Sequence, residues 1–279
     1  MQHITPFQYS LLLRLSANLP PSTPSAPWGN NPALPFTDLH TLESFLVVQG
    51  WPSTLTTNRP KHLCSKTPCP SHVQWLMSLE WRASYKPWSV TPSLLSEASA
   101  GWLYTRGSTA GVPQPIIWYR PGLHKVSSEP AYLRNIVYTL DRAAASATLN
   151  GLSLAHLGKK ARNDPRRYYV VLDATDFSLS QVPSMGAVKE VFKVVGDNFP
   201  RRLSKLAIVN CGRGATFFWR MVGPMLQEDV REKIVIVGGK ESAVEALKGD
   251  IGMADIPIWL GGGDEWEWDA VEYYGGVTE

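Results

Sequence analysis

Four side chains with zinc-ligand chemistry, His62, Cys64, Cys69 and His72, fall within eleven residues. Their spacing does not suit the common frameworks, which begin with two cysteines two to four residues apart, and Pro68 and Pro70 stiffen the chain between them. The segment reads as an irregular loop, and no metal is expected. Cys211, followed by Gly212-Arg213-Gly214, has the beginning of an anion-binding nucleophile loop, yet Phe217 stands where a cysteine phosphatase needs its arginine. A buried, inert cysteine at a strand end is the expectation. Gly238-Gly239 lacks both a third glycine at dinucleotide spacing and a Gly-Lys-Ser/Thr ending, so it reads as a tight turn between strand and helix. Asp173 and Asp176 have the chemistry of an acid and a base. No histidine follows His156, however, and no Gly-Xaa-Ser-Xaa-Gly occurs, so turn or capping roles suit both carboxylates better. The chain does not read as an enzyme, and no cofactor is expected.

Composition narrows the remaining classes. The chain has 279 residues, 44% hydrophobic and 18% charged, enough for one large α/β domain with an appendage and too balanced for wholesale disorder. No apolar run reaches the ~20 residues that span a bilayer. A net charge of +3 falls short of a nucleic-acid surface, so any phosphate recognition has to be local. Three cysteines are an odd number and suggest a reducing, cytoplasmic setting. Residues 1–37 have no acidic residue but only Arg14 as a strong base, which is neither a secretory nor an arginine-rich organelle signal.

The elements that must position a site follow from proline and from hydrophobic periodicity. Of 22 prolines, 13 lie at or before Pro92, and the crowding over 20–35 predicts disorder for residues 1–36. Residues 37–92 read as a degenerate helical subdomain, with helical stripes over 37–51 and 73–81. From 93 to 263 the grammar is α/β. Strands are expected at 116–119, 168–172, 206–210 and 234–237, with helices over 132–147, 184–195, 215–231 in pieces, and 242–247. Continuously apolar strands separated by helices indicate a mostly parallel sheet. Residues 264–279 form an acidic aromatic tail that either docks or frays. Residues 215–226 contain Phe217, Phe218, Trp219, Met221, Val222, Met225 and Leu226, apolar around nearly the whole circumference. Such a helix is either buried on all sides or faces something other than water.

Six segments in order, Glu80-Trp81-Arg82, Trp118-Tyr119-Arg120-Pro121-Gly122, 132–142, Tyr169-Val170-Val171-Leu172-Asp173, Pro200-Arg201-Arg202-Leu203-Ser204-Lys205-Leu206 and Ile256-Pro257 with Leu260-Gly261-Gly262, resemble the CRAL-TRIO lipid-binding family. The resemblance runs from about residue 75 to 263. It implies a small helical N-terminal subdomain, then an α/β domain whose sheet floors a lipid cavity, helices that cover it and a mobile gate helix at 213–226. It implies binding and intermembrane transfer or presentation of a lipid, possible phospholipids included, with no covalent chemistry. The partners implied are a lipid ligand and, transiently, a membrane surface, with peripheral localisation. No nucleic acid is expected, and no protein partner is identified.

On that resemblance Arg201, Arg202 and Lys233, with Val230 in the same segment, would meet the headgroup. Tyr104, Trp118, Tyr168, Val170, Phe217, Phe218 and Trp219 would line or close the cavity. Several positions depart from the family. Pro-Glu-Arg stands as Pro200-Arg201-Arg202, Thr-Xaa-Xaa-Lys as Val230-Arg231-Glu232-Lys233, and Asp176 replaces a glycine after the first central strand. The family's Arg-Lys pair at the end of the N-terminal helix has no counterpart, and losing those cations removes charge-assisted hydrogen bonds to an inositol phosphate and leaves phosphatidylinositol in question. The alternative is a scaffold of the same fold in membrane traffic or small-GTPase regulation, which would show a collapsed pocket and a tightly packed 215–226 helix.

Overall fold

The computed structural model describes residues 70–125, 128–149, 164–237 and 243–274. The disorder expected of 1–36, the helix expected over 37–51, the stretch holding His62, Cys64 and Cys69, and the Gly238-Gly239 turn lie outside the described residues.

Helix α1 (Pro70–Tyr85) begins on a proline, whose missing N–H costs nothing in a first turn. Helix α2 (Pro92–Ala98) starts in the same way and is capped by Thr91, whose hydroxyl accepts from the Leu94 amide. Five strands follow in sheet order β1-β2-β3-β4-β5, namely β1 (Leu103–Ser108), β2 (Pro115–Tyr119), β3 (Tyr168–Asp173), β4 (Leu203–Val209) and β5 (Ile234–Ile236). β1 runs antiparallel to β2, and the others are parallel. β1 has no counterpart in the sequence expectations. Its Thr-Arg-Gly-Ser end lacks the apolar run of the central strands, and it is held at the sheet edge by pairing to β2.

The connecting helices are α3 (Glu129–Leu149), α4 (Met185–Asn198), α5 (Arg213–Val222), the single turn α6 (Glu228–Arg231) and α7 (Ala243–Leu247). α4 is capped by Ser184, whose hydroxyl accepts from the Ala187 amide at 3.2 Å. Glu129, in the first turn of α3, reaches across to accept from the Ser184 amide at 3.0 Å.

Strand alternation sorts the core into two layers. Ile116, Trp118, Tyr169, Val171, Ala207 and Val209 pack on one face against α2, α7 and the C-terminal segment. Leu103, Ile117, Tyr168, Val170 and Leu172 take the other face, toward α3, α4 and α5. The final helix α8 (Ala270–Tyr274) and the acidic aromatic segment before it dock on the first of these faces. Arg106 grips Asp264 through two N–H donors at 2.8 and 3.1 Å and lies over the Trp266 ring, while Trp268 donates to the Ser99 carbonyl. Tryptophans therefore face in along 264–269 while Glu265 and Glu267 face out.

The Leu260-Gly261-Gly262 turn has a steric reason. A Cβ on Gly262 would sit 2.0 Å from the Ile256 carbonyl oxygen. Gly262→Ala should lower stability by ~1–3 kcal/mol, read as a lower urea midpoint with unchanged slope.

Candidate functional site

Between the Val170 face of the sheet and helices α3, α4 and α5 lies an apolar cavity of about 430 Å³. Its floor is Leu103, Ile117, Tyr119, Val170, Leu172 and Leu206. Each wall is the inner stripe of one helix. α4 contributes Val188, Val191, Phe192 and Val195, at the i, i+3, i+4, i+7 spacing that puts apolar residues on one side. α5 contributes Ala215, Phe218, Trp219 and Val222 at the same spacing. α3 adds Tyr132, Ile136, Thr139 and Leu140. The hydroxyls of Tyr119 and Tyr132 lie 3.3 Å apart, and burial raises both phenols above the ordinary tyrosine range, so each stays neutral.

The apolar circumference expected of 215–226 is divided in two. Gly223-Pro224 ends α5 and passes the chain into a 3₁₀ turn, because proline cannot continue the hydrogen-bond ladder. Ala215, Phe218, Trp219 and Val222 of α5 and Met225 and Leu226 after it line the cavity, whereas Phe217 is 58% and Met221 40% exposed, on the surface that also carries Arg213 and Arg220.

The opposite end of the cavity, at the start of β3, β4 and β5, is cationic. Arg201, Arg202 and Lys233 line it. Arg166 and Arg167 stand behind them, each donating to Asp164, at 2.7 and 3.3 Å. Arg202 donates to the Arg166 carbonyl at 3.2 Å, and Lys233 pairs with Asp229 at 3.1 Å. Burial pushes the Arg167 guanidinium down to about 10, with Arg201 adding repulsion against the pull of Asp164. Lys233 is lowered by burial and by Arg167 and Arg201, opposed by Asp229. For Asp164, burial alone would raise the carboxyl, but Arg166 and Arg167 outweigh it and hold it below its usual range.

Of the residues expected at a site, Tyr168, Val170, Arg201, Arg202, Phe218, Trp219, Val230 and Lys233 all line this cavity. Three do not. Tyr104 pairs with Trp118, and Trp118 pairs with Val171, so both aromatics stand one residue out of phase with Val170 and project from the opposite face. Phe217 lies on the outer side of α5. Arg166 and Arg167 were not expected. Their signal was present as a basic pair immediately before a strand, since parallel strands bring such starts together.

The polar candidates outside the cavity have structural partners. Asp173 accepts from the Thr175 amide and hydroxyl and from Asn210, tying the ends of β3 and β4. Asp176 is exposed with φ +56°, a left-handed conformation that glycine adopts freely and aspartate tolerates, which accounts for the substitution of the family glycine. Cys211 is half-buried rather than buried, with its sulfur 3.5 Å from the Thr216 hydroxyl.

The CRAL/TRIO domain model matches residues 112–262, which covers every strand except β1 and all three cavity helices. Among curated proteins, the phosphatidylinositol/phosphatidylcholine transfer protein SFH12 of Arabidopsis thaliana is 34% identical over 70 residues, 25% of this chain and 12% of that protein. The chain thus aligns with about an eighth of that relative's length. The crystal structure of Sfh5 superposes with a TM-score of 0.51 at 14% identity, covering 75% of this chain and 72% of the other, a likeness of fold.

Proposed function

Because the chain belongs to the CRAL/TRIO domain family, we propose that it binds a lipid in the cavity beside β3 and carries or presents it at a membrane surface. The observation that carries this reading is an apolar cavity with cations gathered at one end, matching a molecule with a long apolar body and an anionic head.

Energetics favour such a container. Exposing a sixteen-carbon chain to water costs on the order of 12 kcal/mol at ~0.8 kcal/mol per methylene, so unassisted passage between membranes is slow. Walls of Val, Leu, Ile and Phe replace that water. The α5 helix suits a gate, since its inner stripe closes the cavity while Phe217 and Met221 present exposed apolar surface beside Arg213 and Arg220. Apolar side chains with flanking arginines favour the interface of a bilayer containing anionic lipids. Among the described residues, no helix is long and apolar enough to cross a membrane, so contact through this face is peripheral.

The Phe217→Glu/Met221→Glu double variant should keep its melting temperature, because both side chains are exposed. Lipid transfer between donor and acceptor vesicles should fall roughly tenfold or more, two apolar anchors having been replaced by charges that an anionic surface repels. Unchanged transfer would remove the gate face from the reading.

The scaffold alternative expects the cavity filled by the protein's own side chains and α5 packed on both sides. The open cavity and the exposed Phe217 favour lipid binding instead. Mass spectrometry of organic extracts from natively purified protein is the direct test. Stoichiometric lipid supports the proposal, and a folded protein that yields none supports the scaffold.

A further inference from the structure

The other face of the sheet carries a second cavity, which lipid binding leaves unused. Tyr104, Arg120, Trp259, Trp266 and Trp268 line it, with Glu267 at the rim. These side chains come from β1, the residue after β2, the 258–260 turn and the C-terminal segment, and the sheet separates them from Val170. Most polar groups of this aromatic cluster have partners. The Trp268 indole donates to the Ser99 carbonyl at 3.2 Å and the Trp118 indole to the Arg106 carbonyl at 3.1 Å. Trp259 hydrogen-bonds the Tyr104 side chain, and burial pushes that phenol up to about 12, so it stays neutral. Two donors of the cluster are left over. Arg120 Nε and Trp266 Nε1 are buried with no acceptor among the described residues. Buried polar groups are nearly always paired, so two orphans on one cavity call for an acceptor that the chain does not supply.

The neighbouring Arg106 shows what is missing. Its guanidinium carbon lies 4.6 Å from the Trp266 ring centroid, and its edge grips the Asp264 carboxylate at 2.8 and 3.1 Å. Arg120 makes the same kind of stack, 4.0 Å from the Trp259 centroid. Stacking uses the face of a guanidinium and leaves its in-plane N–H fork for a carboxylate. Among the described residues nothing accepts from that fork in Arg120. We propose that this cavity binds a small aromatic carboxylate, with its carboxylate on Arg120 and the Trp266 N–H and its ring among Tyr104, Trp259 and Trp268. Indole and phenol faces suit a flat apolar body. An unpaired guanidinium repels a cation, which excludes an ammonium ligand despite the aromatic walls. Glu267 is exposed, so water screens its repulsion of an anion. The site is separate from the lipid cavity and stands or falls without it.

The test is titration calorimetry on the full-length protein with three probes: 2-naphthoate, its uncharged amide 2-naphthamide, and acetate. Naphthoate should bind at least about tenfold more tightly than the amide, which lacks the charge, and than acetate, which lacks the ring. Arg120→Met should weaken naphthoate roughly ten- to a hundredfold, and Arg120→Lys, which keeps the charge without the fork, should fall between. Trp266→Phe keeps a ring and removes the N–H, and should cost roughly five- to tenfold. In a proton–nitrogen spectrum the indole N–H signal that Trp266→Phe deletes should move when naphthoate is added to the wild type. Melting curves of the variants separate loss of binding from loss of fold. Val170→Trp, on the lipid side of the sheet, should bind naphthoate as the wild type does. Equal affinity for naphthoate and its amide, or full binding by a folded Arg120→Met, overturns the carboxylate site. Binding lost in Val170→Trp and kept in Arg120→Met places the probe in the lipid cavity and overturns it too. No binding of naphthoate at millimolar concentration also overturns it, and leaves the lipid cavity standing.

Discussion

Val170→Trp is expected to empty the cavity of ligand while leaving the domain folded. Val170 stands in the middle of β3, with Ile117 and Leu206 as its register partners on either side, and all three line the cavity. An indole at this point projects into space that a ligand would occupy, and the sheet behind it offers no retreat. Inserting bulk into a packed core costs ~1–3 kcal/mol. Here an open volume of about 430 Å³ receives it, so the stability loss should sit at the low end of that range. Extracts of matched wild-type and variant preparations should show a stoichiometric lipid falling to under roughly a tenth, a change of ~1.4 kcal/mol or more in loading. Tyr104→Phe, on the opposite face, supplies the control and should load as the wild type does. Equal lipid in the wild type and Val170→Trp would sever the cavity from the function.

The contrast between Val170 and Tyr104 marks how far sequence reasoning reaches. Apolar runs separated by helical stripes were enough to predict a mostly parallel α/β sheet. The 168–172 and 234–237 strands lie within a residue of where periodicity puts them, and the 206–210 strand is displaced N-terminally to Leu203–Val209. Which face each strand residue occupies depends on pairing register, however, and a shift of one residue exchanges the faces. Trp118 is as apolar as Ile117, and nothing local distinguishes them. The pairing of Trp118 with Val171 puts it behind the sheet.

Helix α5 shows the same limit in another form. The apolar segment 215–226 was legible, but its division into an inner stripe and an outer Phe217–Met221 face required knowing where the sheet lies. The cationic end was half legible. Arg201, Arg202 and Lys233 stood out by resemblance, whereas Arg166 and Arg167 join them only because β3 and β4 start side by side. β1 escaped detection because an edge strand needs only one apolar neighbour and can end in Thr-Arg-Gly-Ser.

Asp141→Asn is expected to produce the largest loss of stability of any single conservative change in the described residues discussed above. Asp141 is fully buried on α3 and accepts from Arg82 of α1 at 2.5 Å, with both side chains out of water. Trp81, the neighbour of Arg82, meets the Phe199 ring edge-on, so this point of α1 is fixed to two elements of the α/β domain. Removing the carboxylate charge while leaving the guanidinium buried costs ~3–5 kcal/mol, because the stranded cation keeps its full desolvation penalty. With a urea slope of about 2–3 kcal/mol/M, the midpoint should fall by about 1–2 M. Replacing both partners by apolar residues, as in Arg82→Met/Asp141→Leu, should recover most of the loss, since no unpaired charge then remains. A single variant that costs under about 1 kcal/mol would mean that the guanidinium finds water or another acceptor and that the pair does not anchor α1. The consequence extends to the cavity. Thr139 and Leu140 on its wall directly precede Asp141, so an α3 released from α1 loses the constraint that holds its inner stripe against Val170 and Tyr168. Loading should therefore weaken in Asp141→Asn well below its unfolding midpoint and return in the apolar double variant.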